Sequence, residues 1–532
     1  LADEAAPPPP KPPALVVAIS VDQFSADLFA QYRRHFTGGL ARLQQGAVFP
    51  SGFQSHAATE TCPGHSTLLT GARPARTGIV ANNWFDPSLA RADKRVYCAE
   101  DESNPASTSR DPVVSAAHLM VPTLGEWLKR ANPASRNVAV SAKDRAVMMM
   151  GGKQIDAAYW WKGSGFVSYA GQPLAPAAQS PNLAAAALIK KGARAFKPPA
   201  WCAARDRAIA AGRLTVGQGR FALEAGKGDS FRVSPRMDAA TVDLAIRLFD
   251  SMRLGKGGAP DVLSVSLSAT DYVGHAYGTE GMEMCIQLAE LDRSLGRLLA
   301  HLDASHVDYV AVLSADHGGF DLPERLAQQA NSEAMRVDPA LSPGALAKTV
   351  SARTGVTVPA GALLYGDGAA GDIHINPAIS GEQKALIISA LTNILKSHPQ
   401  VDTVITSAQL LETPMPSGTP DEWTILQRAR ASFYPGRSGD VQVMLKHGVV
   451  PIPDPNAGYV ATHGSVWNYD RRVPILFWRK GLAGMEQPAP VETVDIAPTL
   501  AAIMGLAVPQ GAFDGRCLDI DGGAGDTCRA GQ

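Results

Sequence analysis

Four short apolar runs each end where a chemically useful side chain begins. Residues 15–20 (LVVAIS) lead to Asp22, and 262–267 (VLSVSL) lead to Asp271. Residues 309–314 (YVAVLS) lead to Asp316 and His317, and 138–141 (VAVS) lead to Lys143 and Arg145. Strands that are apolar on both faces must be covered on both, as in a mainly parallel sheet between helices. In such sheets ligands collect beyond the carboxyl ends of the strands. The pattern predicts an α/β/α sandwich with a large, mainly parallel central sheet and one polar site along a single sheet edge. Amphipathic stretches at 241–252, 282–302 and 382–398 supply covering helices, and Asp495 is expected to cap IAPTLAAIMGL.

The same rhythm divides the chain. Core segments are expected at 14–150, 236–325 and 441–532. Segments 151–235 and 326–440 are richer in Gly, Pro and Ala and break the rhythm, so they read as insertions over the active edge. The second is expected to be an α+β cap with a strand–helix–strand unit within 366–409. Residues 1–13 (LADEAAPPPPKPP) are a stiff proline-rich spacer, read as a mature N-terminus after signal-peptide removal. A periplasmic or secreted protein is expected.

Composition narrows the partners. Lys and Arg number 49 against 50 Asp and Glu, so no basic excess exists to hold a nucleic-acid backbone, and no nucleic-acid partner is expected. No membrane partner is expected either: the nearest candidate span, 496–513, is uncharged but broken by Pro498 and Pro509. Six cysteines are few for 532 residues and show no CxxC spacing. Cys517 and Cys528 are spaced to close a C-terminal loop, but six cysteines permit fifteen arrangements. A monomer is expected.

The chemistry lies in five fragments. DYVGH sets Asp271 and His275 four apart, on one side of a helical turn, and both suit zinc; many solvated helices share that spacing. SADHGG places Asp316 beside His317, and two adjacent ligands reach one ion only where the backbone turns, which Gly318 and Gly319 permit. A plain polar loop would look the same. His463, in ATHGS, follows a Gly/Pro/Asn-rich loop, where single histidines are often ordinary surface groups. Asp22 gains weight because two other strands end alike. Thr61, in TETCPGHSTLLTG, precedes Cys62-Pro63 at a helix start, as an ordinary cap or as a nucleophile beside the positive end. Together they read as a two-metal site. Asp271, His275 and His463 form one zinc site with an open position; Asp22, Asp316, His317 and the Thr61 oxygen form the other.

ISVDQ, TETCPGHSTLLTG, GIVANNWFD, SAKDR, DYVGH, SADHGG, ATHGS and TVDIAPTL occur in this order across residues 14–505. The series resembles that of the alkaline phosphatase superfamily, and its threonine with the Lys-x-Arg of SAKDR is similar to the periplasmic, threonine-dependent members. The resemblance implies two zinc ions with the ligands named, and phosphate contacts from Asn82, Lys143 and Arg145. Asn83 competes for the Asn82 role. Lys143 and Arg145 are expected to face the site from an extended strand end, Arg145 clamping two phosphoryl oxygens with its planar fork. Their charge favours dianionic monoesters, with some diester cleavage, through a phosphothreonine. Small phosphate esters are thus the expected partners. A sulfatase is excluded, because Cys62 is followed directly by Pro63 and lacks the Cys/Ser-x-Pro-x-Arg setting.

Two rival readings stay open: a nucleotide pyrophosphatase or phosphodiesterase of the same superfamily, and a secreted phosphate- or metal-binding protein without turnover. Trp84, Phe85, Trp160 and Trp161 read first as core and second as a wall for the leaving group. The acidic tail at 519–526 reads as a solvated loop, with calcium as its alternative ligand.

Overall fold

The computed structural model describes residues 11–528, so most of the expected spacer at 1–13 lies outside the described residues. Ten strands form the central sheet: β1 Leu15–Val21, β2 Ala47–Phe53, β3 Asn137–Ser141, β4 Ala157–Lys162, β5 Gly165–Val167, β6 Asp261–Leu267, β7 Tyr309–Ser314, β8 Arg472–Arg479, β9 Met485–Glu486 and β10 Val491–Glu492. Their order is β9-β2-β8-β7-β1-β6-β3-β4-β5, with β10 also on β2. The run from β7 to β4 is parallel, while β8 is antiparallel to both β7 and β2.

Register explains why the site gathers at one edge. Val21 pairs with Leu267, Ser20 with Ser314, and Ser266 with Ser141. The four expected strands therefore lie side by side and finish together, so the residues after them emerge into one place. Alternate side chains bury on opposite faces. Val17, Ile19, Val265 and Leu313 pack with residues of α3 (Pro235–Ser251) and α5 (Met282–Ala304). Val16, Ala18, Val262 and Val312 pack with residues of α1 (Thr61–Thr70) and α6 (Ile496–Ile503). Each such side chain, once buried, contributes roughly 1.5–3 kcal/mol. Two further helices, α2 (Asp144–Gly151) and α4 (Ala269–Tyr277), start at the site edge.

The segment at 151–235 is not all insertion in its folded form. AAYWWK forms β4, and β5 completes that sheet edge, before the helix Pro176–Lys191 and the hairpin Ile209–Ala211/Leu214–Val216. β4 is followed by no carboxylate, so the rhythm that marks the other strands is silent here. The cap has its own core, including Val350, Ile387, Leu391 and Val443, under a four-stranded sheet. Gly371–Ile375, Gly381–Lys396 and Val401–Thr406 give the strand–helix–strand unit, while Val441–Leu445, just past the expected boundary at 440, joins the same sheet. Disulfides link Cys62 to Cys98, Cys202 to Cys285 and Cys517 to Cys528. No helix among the described residues is long and apolar enough to cross a membrane.

One expected cap differs. Asp495 precedes α6, but its carboxylate accepts from the Glu492 and Arg516 backbone N–H groups instead of from α6. A 3₁₀ turn at Thr493–Asp495 already puts Asp495 in helical conformation, which aims the side chain backwards.

Candidate active site

The first turn of α1 is assembled from both sides. Glu60 is the N-cap residue, yet its Oε2 accepts from the Asn82 N–H at 2.8 Å and leaves the helix uncapped by its own side chain. Asn82 Oδ1 accepts from the Cys62 N–H at 2.8 Å, satisfying one free donor of that turn. With its oxygen held there, the amide nitrogen of Asn82 is free of that contact. Asn83 turns away and donates to Asp367 of the cap at 2.9 Å. Gly64 lets the turn sit on the end of β7: a Cβ there would come within 1.8 Å of the Asp316 carbonyl oxygen. Gln54 Nε2 bridges the same junction by donating to the Gly64 and Ala315 carbonyls.

The six expected Asp and His ligands come together. Asp271, His275 and His463 form one group, Asp22, Asp271 and His317 a second, and Asp22, His65 and Asp316 a third; within each group the ligand atoms lie within 4.8 Å of one another. α4 carries Asp271 and His275 one turn apart, with Nε2 of His275 3.2 Å from Asp271 Oδ1. His463 Nε2 lies 3.4 Å from the same oxygen. His317 Nε2 lies 3.4 Å from Asp22 Oδ1 and 3.3 Å from Asp316 Oδ2.

These imidazoles share one feature. Nδ1 of His275, His317 and His463 faces the carbonyl oxygens of Ala461, Gly318 and Thr59 at 3.0, 2.7 and 2.7 Å. A proton on Nδ1 donates to each carbonyl, so Nε2 is the nitrogen each ring turns to the carboxylates; burial opposes a charge on His317, but Asp316 and Asp22 outweigh it and hold that ring above the ordinary histidine range. Burial and then the neighbouring His317 push His463 down to about 3, which keeps it neutral. Asp22 Oδ1 and His317 Nε2 are buried without an ordinary hydrogen bond, while Asp22 Oδ2 and Asp316 Oδ2 lie 2.6 and 3.1 Å from Lys143 Nζ and His65 Nδ1. Isolated buried polar groups cost several kcal/mol, whereas hard oxygens and neutral imidazoles suit a divalent cation. The residues present fit metal ions.

Lys143 reaches into the same cluster, with Nζ 2.6 Å from both Asp22 Oδ2 and Asp271 Oδ2 and 3.4 Å from Thr61 Oγ1. Burial disfavours its ammonium, but Asp22 and Asp271 outweigh that and hold it above the ordinary lysine range. Burial also opposes ionisation of Asp271, but His275 and Lys143 win and hold its carboxyl well below the usual range. The expected extended strand end is corrected at Arg145. Lys143 itself is extended, but α2 starts at Asp144 and puts Arg145 in a helical first turn, because the apolar AVMMM run needs a helical face. Arg145 Nη1 donates to Tyr97 Oη at 3.4 Å, Tyr97 donates to Asp144 at 2.6 Å, and Arg145 Nε is buried without a partner.

Two residues escaped sequence reasoning. His65 is buried with Nδ1 3.1 Å from Asp316 Oδ2, and its signal was the four-residue spacing from Thr61 along α1. Gln23 has φ of 65°, a left-handed conformation unusual for its type. Its backbone N–H donates to Asp316 Oδ1 at 3.1 Å and its side-chain amide to Asp271 Oδ1 at 3.2 Å. Gly274 and Gly319 make room for it: a Cβ on either would fall within 2.7 Å of its side chain.

Of the aromatic residues, Trp84, Trp160 and Trp161 are buried in the core, while Phe85 meets Tyr365 and His374 of the cap. In the acidic tail, Asp519 and Asp521 accept from backbone N–H groups of Asp521, Thr527 and Gly523. No group of three metal-competent side chains forms there among the described residues.

Comparison with known proteins agrees with this geometry. The family profile of type I phosphodiesterase / nucleotide pyrophosphatase matches residues 16–466. The chain is 53% identical over 524 residues to alkaline phosphatase PhoK of Sphingomonas sp., covering 98% of this chain and 93% of that protein. It is 48% identical over 520 residues to alkaline phosphatase PhoD of Zymomonas mobilis, covering 97% and 89%. The fold superposes on the crystal structure of alkaline phosphatase PafA with a TM-score of 0.82 at 24% identity, covering 96% of this chain and 99% of that one.

Proposed function

The chain belongs to the type I phosphodiesterase / nucleotide pyrophosphatase family and, within that superfamily, to the alkaline phosphatases; on that premise we propose that it is a zinc-dependent phosphomonoesterase that uses Thr61 as nucleophile. The observation that carries the reading is the convergence of Asp22, Asp271, His275, Asp316, His317 and His463 beside Thr61, with three Nε2 atoms turned inward. Two zinc ions bound there would acidify the threonine hydroxyl and neutralise charge on the leaving oxygen.

The protein's own groups do the rest. Thr61 sits in the first turn of α1, where the helix's positive end favours a developing alkoxide. Its Oγ1 bonds to phosphorus as the bond from phosphorus to the ester oxygen breaks, leaving phosphothreonine; water then takes the phosphoryl group and restores the hydroxyl. Lys143, 3.4 Å from Oγ1, supplies a fixed positive charge to the phosphoryl oxygens. Arg145 brings its unpartnered Nε, and Asn82 its amide nitrogen, to the same oxygens. These donors beyond the metal ligands favour a dianionic monoester over a diester. An oxidising, extracytoplasmic location fits three disulfides.

The test couples metal analysis to single turnover. The purified protein should hold about two zinc ions per chain, lose activity on chelation and regain it with zinc. Phenyl phosphate should leave acid-stable phosphate on Thr61 in a quench, and Thr61→Ala should abolish both the label and turnover. Undiminished turnover in Thr61→Ala would overturn the assignment.

A further inference from the structure

A cavity of about 90 Å³ separates core loops 57–60 and 80–85 from the cap strands Gly371–Ile375 and Val441–Leu445. Its rim includes Glu60, which precedes the nucleophile, and Gly464, which follows His463. These two positions touch: a Cβ on Gly464 would lie 3.9 Å from Glu60 Cγ. The lining thus includes the chain neighbours of both Thr61 and His463. That is ample for several water molecules, and so for a compact organic group.

The lining has a definite chemical bias. Its ionisable residues are Glu60, Asp367, Asp372 and His374, and no lysine or arginine is among them. Asp367 is engaged by Arg95 and Asn83, and Asp372 by the Gly439 N–H and Gln442. Two acceptors are left over. His374 faces the Arg437 carbonyl through Nε2 at 3.0 Å, so its buried Nδ1 carries a lone pair with no donor. Glu60 spends Oε2 on Asn82 and keeps Oε1. Phe85, Val443, Met444 and Val466 supply apolar walls. A space with apolar walls, spare acceptors and only acidic charge is complementary to a small organic group bearing hydrogen-bond donors.

We propose that this cleft is the subsite for the alcohol portion of the substrate, selecting phosphate monoesters of small amino alcohols and repelling anionic alcohols. The inference rests on the phosphomonoesterase reading and narrows its substrate class.

The test compares kcat/KM of the zinc-loaded enzyme for ethanolamine phosphate and 2-phosphoglycolate. These two-carbon esters carry an ammonium and a carboxylate at the same end, and phenyl phosphate serves as reference. Ethanolamine phosphate should be favoured by about tenfold or more, the scale of one charge reversal near partly screened carboxylates. His374→Leu, which removes the spare acceptor, and Val443→Trp, which fills the cavity, should each move the ratio towards one. A ratio at or below one in the unmodified enzyme, or a ratio unmoved by both variants, overturns the subsite while leaving the phosphatase intact. Phenyl phosphate turnover that survives Thr61→Ala instead overturns the underlying reading, and the subsite with it.

Discussion

The two halves of the ligand constellation are built differently. Asp22, His65, Asp316 and His317 have no exposed surface and sit where β1, β7 and α1 meet the core. On the other side, His463 belongs to a long irregular segment before β8, and His275 lies under Tyr459, a ring stacked at 4.4 Å and 55% exposed. The inner half is as much core as site. The outer half is a rim assembled onto it. Low local stability suits the part that must admit substrate and release product.

That contrast breaks most sharply under ligand removal. Asp316→Ala should cost about 3–5 kcal/mol of stability as well as activity, since it strands His65 and His317 in the interior. His463→Ala should leave the denaturation midpoint of the metal-free protein nearly unchanged. Its kcat/KM should still fall by at least the roughly 10–100-fold typical of losing even an outer partner of a metal ligand. Equal destabilisation in denaturant titrations of the two variants would erase the distinction.

Gln23 sharpens it further, because it serves the two halves through different atoms. Gln23→Gly keeps the backbone donor to Asp316 and relieves the left-handed conformation, but removes the amide on Asp271. Calorimetric zinc titration should show roughly 10-fold weaker binding at the Asp271–His275–His463 group and little change at the inner one. Uniform weakening at both would mean the backbone turn, and not the amide, is what matters.

A further effect is expected at a carboxyl outside both halves. Burial, then Glu492, pushes Asp495 up to about 6. A carboxyl raised in the folded state stabilises most below its unfolded value near 4, and that contribution is lost as pH rises through 6. The difference is about 3 kcal/mol. Asp495→Asn should flatten this part of the stability–pH curve while leaving zinc stoichiometry untouched; an unchanged slope would show that the group titrates normally.

Much of the architecture was legible because strand and ligand signals coincide. An apolar run ended by a carboxylate marks both, so β1, β6, β7 and the residues after them could be read together. β4 and Val441–Leu445 lack that terminal carboxylate, and their sheet membership is set by pairing with Asn137–Ser141 and Val401–Thr406, which no local residue pattern announces. His65 was hidden inside a motif already explained by its threonine. Gln23 was hidden because a positive φ on a glutamine leaves no trace in sequence. Cysteine pairing was closed to arithmetic beyond Cys517 and Cys528, since it depends on which loops the folded sheet brings together.

The link between Cys62 and Cys98 joins the residue after the nucleophile to the residue after Tyr97, and the Cys98 N–H also donates to the Asn82 carbonyl at 2.9 Å. One covalent tie thus secures the attacking group, the amide and the tyrosine that steadies Arg145. A chain folded under reducing conditions would hold all three by hydrogen bonds alone.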